Sequence, residues 1–302
     1  MSAGAAPDGA AGADAAVVAL GGGHGLYATL SAVRRFTRDI TAVVTVADDG
    51  GSSGRLRSEL GVLPPGDLRM ALAALAEDPD GVWARTAQHR FGGTGALAGH
   101  SVGNLVLAGL SEVLGDPVAA LDQLASILRC TGRVVPMSPT ALTIEADVSG
   151  LEVDPRVSRC IRGQVAVATT PGTVRRVRLI PCDPPAGSEA IAAIDHADAV
   201  VLGPGSWFTS VIPHMLVPDL RTALMRAHAV KVLVLNLAAE PGETAGFSAE
   251  RHLHVLSQHA PDFAVDQVLV DSGSVPEGRE REHVARAAEQ LRARVTFADV
   301  AE

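Results

Sequence analysis

The chain has 302 residues, with 25 Lys and Arg against 34 Asp and Glu, a formal net charge of −9. That length predicts one or two domains with a core large enough to need no staples, and the acidic balance argues against a broad nucleic-acid-binding face. Three cysteines at wide spacing make neither a disulfide framework nor a CxxC metal site and suit a reducing cytoplasm, while aromatic residues at 3% leave little for base-stacking platforms.

Residues 1–14 are rich in Ala and Gly, carry Asp8 and Asp14, and lack the basic start of a signal peptide. They read as a disordered tail, and residues 15–302 as a single α/β domain. The apolar run from Ala15 to Leu20 stops at glycines, far short of the ~20 residues that cross a bilayer, so no membrane insertion is expected.

The run Ala16 to Leu20 reads as a strand, and Leu26, Leu30 and Val33 then recur on one helical face. Ile40 to Ala47 is a β-branched strand buried on both faces. Gly50, Gly51, Ser52, Ser53 and Gly54 predict a mobile loop. Leu68, Leu72 and Leu75 mark a helix over 66–76, and residues 101–114, apolar nearly all round, predict a buried helix. Leu121, Leu124, Ala125 and Leu128 form a further stripe. Residues 133–181, rich in Val, Thr, Pro and Gly, read as a β-rich antiparallel insertion. Unbroken β-branched runs return at 199–203, 231–236 and 267–271, as central parallel strands require. A charged helix over about 276–293 ends the pattern. The fold class is therefore a Rossmann-like, doubly wound, mostly parallel sheet carrying that insertion. Ligands of such sheets bind outside the carboxyl ends of the strands.

Polar and glycine clusters sit at those ends. G-G-G-H-G at 21–25 opens a helix, so Gly22, Gly23, His24 and Gly25 present bare backbone N–H groups to a phosphate. Neither the GxGxxG fingerprint nor a Walker A loop is met. Asp48 and Asp49 lie at the next strand end. Asp48, 25 residues past Gly23, is near the offset at which an acid meets a sugar hydroxyl; the pair alternatively suits Mg²⁺. Gly50, Ser52 and Ser53 follow, and Arg55 can pair with a phosphate. In P-P-G-D-L-R, Gly66 or Asp67 can cap the next helix, and Arg69 lies opposite its apolar stripe, where it can face the cleft and, like Arg55, act on a diphosphate. Gly99-x-Ser101-x-Gly103 imitates a hydrolase elbow, but the strand that an elbow requires is missing before it. Ser101 reads instead as a helix N-cap, with His100 and Asn104 sharing a face toward the cleft. L-G-P-G-S-W-F-T-S is a second strand–glycine–helix junction, where Gly203, Gly205 and the hydroxyls of Ser206 and Thr209 can cradle a second phosphate. Asn236 ends a strand, as a base- or sugar-reading amide would. The histidines show no metal-ligand spacing.

Together GGGHGL, TAVVTVADDGGSSGRLR, PPGDLR, QHRF, GHSVGNL, LGPGSWFTS and the N-x₄-PGET turn resemble the bacterial gluconeogenesis factor family, also called YvcK-like, within the CofD-like superfamily. The likeness runs from about residue 16 to 272. The chain departs from the family's usual residues at His24 (Thr), Met70 (Asn), the Trp207–Phe208 pair (often Tyr) and Arg251-His252 (Asp-His). The resemblance implies a cytoplasmic regulator that binds UDP-N-acetylglucosamine and supports growth on gluconeogenic carbon sources, peptidoglycan supply and cell shape. It implies glucosamine-6-phosphate synthase or cell-wall synthesis proteins as partners; a homodimer is expected, and no cofactor is required. CofD relatives transfer a phospholactyl group. A transferase or weak diphosphate hydrolase using Asp48, Asp49 and Mg²⁺ is the alternative reading.

Overall fold

A computed structural model describes residues 14–154, 156–240 and 242–300; all but the last residue of the expected N-terminal tail lie outside them. The first half of the main sheet is built early. Strand β1 (Val17–Gly21) leads into helix α1 (Gly23–Val33), and β2 (Ile40–Val44) into α2 (Gly51–Leu60). Helices α3 (Pro65–Leu75), α4 (Val82–Gln88), α5 (Val102–Leu114) and α6 (Pro117–Leu128) follow before β3 (Arg133–Pro136). A smaller sheet comprises β4 (Thr143–Ser149), β5 (Ser158–Arg162) and β6 (Thr173–Ile180), with α7 (Gln164–Ala168) between the last two. The chain returns through α8 (Ser188–His196) to β7 (Ala199–Leu202), a π-turn at Trp207–Val211, α9 (Ile212–Met215) and α10 (Pro218–Arg226). It then adds β8 (Val230–Val234), α11 (Ala249–His259), β9 (Gln267–Asp271), α12 (Arg279–Glu289) and β10 (Arg294–Ala298).

The seven strands lie in the order β10-β9-β8-β7-β1-β2-β3, every pair parallel. From β1 the chain winds outward through β2 and β3; it then returns to β7, on the other side of β1, and winds the opposite way. The switch point between β1 and β7 opens a crevice at the strands' carboxyl ends, where ligands bind in such sheets. Val18, Ala19, Leu20, Val43 and Val44 are buried on both faces of this sheet, which is why the β1 and β2 runs are unbroken rather than alternating; β7 and β8 bury Val200, Leu202 and Leu233 and leave their other residues partly exposed.

Four expectations change. Residues 51–60 form helix α2 with Ser52 and Ser53 buried, not a mobile loop. The Asp48 carboxylate accepts the Gly50 N–H at 2.8 Å, an Asx turn that starts the helix. Gly54 lets that turn close, since a Cβ there would stand 1.9 Å from the Asp49 carbonyl oxygen. Helix α5 buries only Gly103, Asn104, Leu107 and Ala108, while Val113 is 82% exposed: it packs on one side, against α6, α3, α4 and α2. Arg133–Pro136 pairs parallel with β2, so only Thr143–Ile180 supplies the antiparallel sheet. The edge strand β10 was not expected, because its half-exposed pattern lacks the central strands' apolar run.

Candidate functional site

The two glycine loops meet at the switch point. A Cβ on Gly25 would stand 2.2 Å from the Pro204 carbonyl oxygen and 2.6 Å from the Gly205 Cα, so only glycine allows these backbones to touch. The Thr29 hydroxyl donates to the Gly203 carbonyl at 3.0 Å and ties α1 to the second loop. The Asn236 amide accepts the Gly205 N–H at 2.8 Å and donates to the Gly205 carbonyl at 2.9 Å. Asn236 therefore holds the loop's shape with the groups expected to read a base or sugar.

Between the loops lies a cavity of about 340 Å³. Gly22, Gly23, His24 and Gly25 line one side, and Gly205, Ser206, Thr209 and Ser210 the other. Asp48, Asp67 and Glu240 also line it, with Thr45 at its base and Gln164 and Ala168 from α7 across it. No Lys or Arg is among the lining residues.

Each loop is already met by a carboxylate of the protein. Asp67, in the first turn of α3, accepts the Gly23 N–H, while Pro64 occupies the N-cap position expected of Gly66 or Asp67. A Cβ on Gly22 would stand 2.5 Å from an Asp67 carboxylate oxygen. Burial, then the neighbouring Asp48, push the Asp67 carboxyl up to about 7. On the second loop, one Glu243 oxygen accepts the Ser206 hydroxyl at 2.7 Å and the Phe208 N–H at 3.2 Å. Burial pushes Glu243 up to about 7 as well. The N–H groups of His24 and Gly25 stay in the first turn of α1, where a helix has no carbonyl to offer them.

Other residues read as site candidates lie elsewhere. Asp49 turns away from Asp48: its two oxygens accept the Gln164 and Val165 N–H groups, each at 3.0 Å, and so cap α7. Arg55 donates to the Ala98 carbonyl at 2.7 Å. Arg69, 5% exposed, donates through Nε to Asn104 Oδ1 at 2.9 Å. Asn104 Nδ2 donates to the Ser52 hydroxyl at 3.0 Å, and that hydroxyl shares a 3.0 Å hydrogen bond with His100 Nδ1. His100 and Asn104 do converge, but on Ser52 within a buried network outside the cavity. Burial lowers the His100 pKa, which suits a neutral acceptor ring. Burial, chiefly, lowers Arg69 to about 10. Ser53 is buried in α2, beneath Gly66, where a Cβ would stand 2.4 Å from its hydroxyl. Ser101 occupies the N-cap position of α5, yet its side chain makes no capping bond and its hydroxyl is buried without a partner; only an isolated bridge from Arg90 to Ser101 stands where an elbow needs a strand.

Thr45, Gln164, Ala168, Ser210 and Glu240 were not foreseen. Thr45 had a signal, being a polar residue inside an apolar strand run. Gln164 and Ala168 had none, because their place depends on how the insertion docks. Among the described residues, no helix is long and apolar enough to cross a membrane.

Residues 17–299 match the family profile described as 2-phospho-L-lactate transferase CofD. A relative in Mycobacterium tuberculosis is 71% identical over 287 residues, spanning 94% of this chain and 84% of that protein. The Bacillus subtilis protein named gluconeogenesis factor is 36% identical over 272 residues, covering 90% of this chain and 83% of that one. The crystal structure of a UPF0052 family member from Bacillus halodurans aligns with a TM-score of 0.84 at 34% identity, over 95% of this chain and 93% of that one. Sequence, fold and the paired loops agree: the chain belongs to the gluconeogenesis factor (YvcK-like) family of the CofD-like superfamily.

Proposed function

We propose that the protein is a cytoplasmic regulator that binds a nucleotide sugar, UDP-N-acetylglucosamine, at the switch-point cavity, and that it links amino-sugar supply to cell-wall synthesis and cell shape. The observation that carries this reading is the backbone contact of two glycine loops around one cavity, at the position where doubly wound sheets take phosphorylated ligands. The His24 and Gly25 N–H groups are the donors for the diphosphate. Asp48 is the acceptor for ribose or sugar hydroxyls. With Asp49 committed to α7, Asp48 is the member of the pair that would meet a Mg²⁺ ion carried in by the diphosphate. The partners in this reading are glucosamine-6-phosphate synthase or cell-wall synthesis proteins, reached by a homodimer. A second reading, slow transfer or hydrolysis at the diphosphate, draws on the Ser206–Glu243 pair: a hydroxyl 2.7 Å from a carboxylate titrating near neutrality has general-base geometry.

Calorimetric titration with UDP-N-acetylglucosamine, with and without Mg²⁺, tests the first reading; release of UMP or UDP in the same samples tests the second. At 100 times its Kd the ligand should stabilise the fold by about 2.7 kcal/mol. Ala168→Phe, which fills the cavity from α7, should abolish binding while the unliganded protein still unfolds cooperatively. Gly205 is a poor place for a blocking side chain, because its φ of +139° strains any residue with a Cβ. Absence of binding at millimolar ligand, or an Ala168→Phe variant that binds like wild type, would sink the assignment. Robust turnover would move the protein among the enzymes.

A further inference from the structure

A second concavity, of about 480 Å³, lies between β6 of the small sheet and α11 of the main domain. Val174, Arg175, Ser248, Glu250, Arg251, His254, Val255 and Gln258 line it; none of them lines the switch-point cavity. Most of the other arginines nearby are paired, although Arg176, beside Arg175 in β6, also lacks an ion pair among the described residues. Arg156, Arg159, Arg162 and Arg178, all near or in the small sheet, are neutralised by Asp154, Glu152, Glu145 and Asp147. Arg175 and Arg251 have no carboxylate partner among the described residues. Arg175 is fixed through its Nε, which donates to the Ser149 hydroxyl at 2.7 Å, leaving its two terminal nitrogens for another acceptor. Arg251 stacks its guanidinium 4.2 Å from the centre of the Phe247 ring. The stack orients that fork without using its N–H donors.

The remaining lining groups complement two such forks. His254 Nε2 accepts from the Gln258 amide at 2.9 Å, which leaves its Nδ1–H as a further donor. The one carboxylate present, Glu250, stands 3.7 Å from His283 Nδ1 on the side of α12, a contact that is ionic only when that imidazole is protonated. Two oriented guanidiniums and an imidazole N–H are donors for a tetrahedral anion. Ser248, Glu250 and Gln258 add acceptors suited to hydroxyl groups.

We propose that the cleft between β6 and α11 is a second ligand site, taking a small phosphorylated sugar or polyol whose phosphate is clamped by Arg175 and Arg251. The cleft lies where the insertion faces the main domain, so an occupant bridges β6 and α11. The site is separate from the nucleotide-sugar cavity and does not depend on it.

The test uses the whole chain and three probes: glucose 6-phosphate, inorganic phosphate and glucose, each followed by calorimetry and by chemical-shift changes in the Arg Nε–Hε region. Glucose 6-phosphate should bind once per chain, more tightly than inorganic phosphate, and glucose should not bind. Arg175→Gln and Arg251→Gln should each weaken glucose 6-phosphate binding by about tenfold, as loss of one charge-assisted contact implies. Both variants should bind UDP-N-acetylglucosamine as wild type does and still unfold cooperatively near the wild-type melting temperature, because each exposed arginine loses one contact, to Ser149 or to Phe247. Three outcomes overturn the proposal. One is no binding of any phosphorylated probe at 10 mM. Another is equal binding by wild type and both variants. The third is displacement of glucose 6-phosphate by saturating UDP-N-acetylglucosamine, which would put the probe in the switch-point cavity.

Discussion

Asp67 is the residue at which the chemistry of the cavity and the stability of the fold meet. Its carboxylate accepts the Gly23 N–H, yet burial and Asp48 disfavour its charge and raise it from an ordinary 3.8 to about 7. Between about pH 4 and about pH 7 the folded protein holds a proton that the unfolded chain has released. The unfolded state therefore binds fewer protons in that window, so this group's stabilisation is present on the acid side and is lost as pH rises toward 7. Asp67→Asn is neutral throughout and removes that slope. Urea midpoints recorded across the window should flatten for the variant relative to wild type; parallel curves would show that Asp67 titrates normally. Glu243, raised to about 7 for the same reason, contributes a slope of the same sign in both proteins, so flattening should be partial.

Helix α2 shows how a glycine- and serine-rich stretch becomes an element. Its apolar residues are few, and what holds it is polar: the Asp48 turn before it and the chain Arg69–Asn104–Ser52–His100 behind it, joining α3, α2 and α5. Arg69 is buried with Nη1 unpartnered, and its Nε–Asn104 bond and the nearby Asp67 charge act against the cost of its desolvation. Asn104→Ala should cost roughly 1.5–3 kcal/mol, the range for hydrogen bonds to charged groups. In a double-mutant cycle, Arg69→Met should recover part of that loss, with a coupling of roughly 0.5–3 kcal/mol. Simple additivity in urea unfolding would mean that the network does not stabilise α2 and its neighbours.

At the scale of the whole molecule, the small sheet completes the cavity. Asp49, at the end of the β2 segment, caps α7 and so brings Gln164 and Ala168 over the glycine loops. Gly163 leaves room for that contact: a Cβ there would stand 2.5 Å from an Asp49 oxygen, and its φ is +105°. Asp49→Ala should cost about 1 kcal/mol, as loss of a helix cap does. It should also speed amide exchange across β5, α7 and β6, and weaken UDP-N-acetylglucosamine binding several-fold. Unchanged exchange and unchanged affinity would separate the docking of the insertion from the ligand site.

The unbroken β-branched runs determined the parallel sheet by themselves, since a strand covered on both faces has no polar side to show. The strand–glycine–helix junctions likewise marked where the cavity would open, because a tight turn at a helix start needs bare backbone whatever surrounds it. Gly25 read as a place where bare backbone meets a phosphate; that it meets the Pro204–Gly205 backbone was not legible. The direction in which each polar side chain turned was decided only by the tertiary structure. Asp48 and Asp49 are adjacent in sequence, yet one faces the cavity and the other the insertion. Arg55 and Arg69 look like phosphate ligands in the sequence, but one binds a loop carbonyl and the other is buried against Asn104. Asn236 looks like a reader of ligands and is the clasp of a loop. For Asp49, Arg55, Arg69 and Asn236, hydrogen-bond partners 31 to 116 residues away settle the choice, and no local pattern carries them; the apolar spacing that defines an element is local, and so it can be read directly.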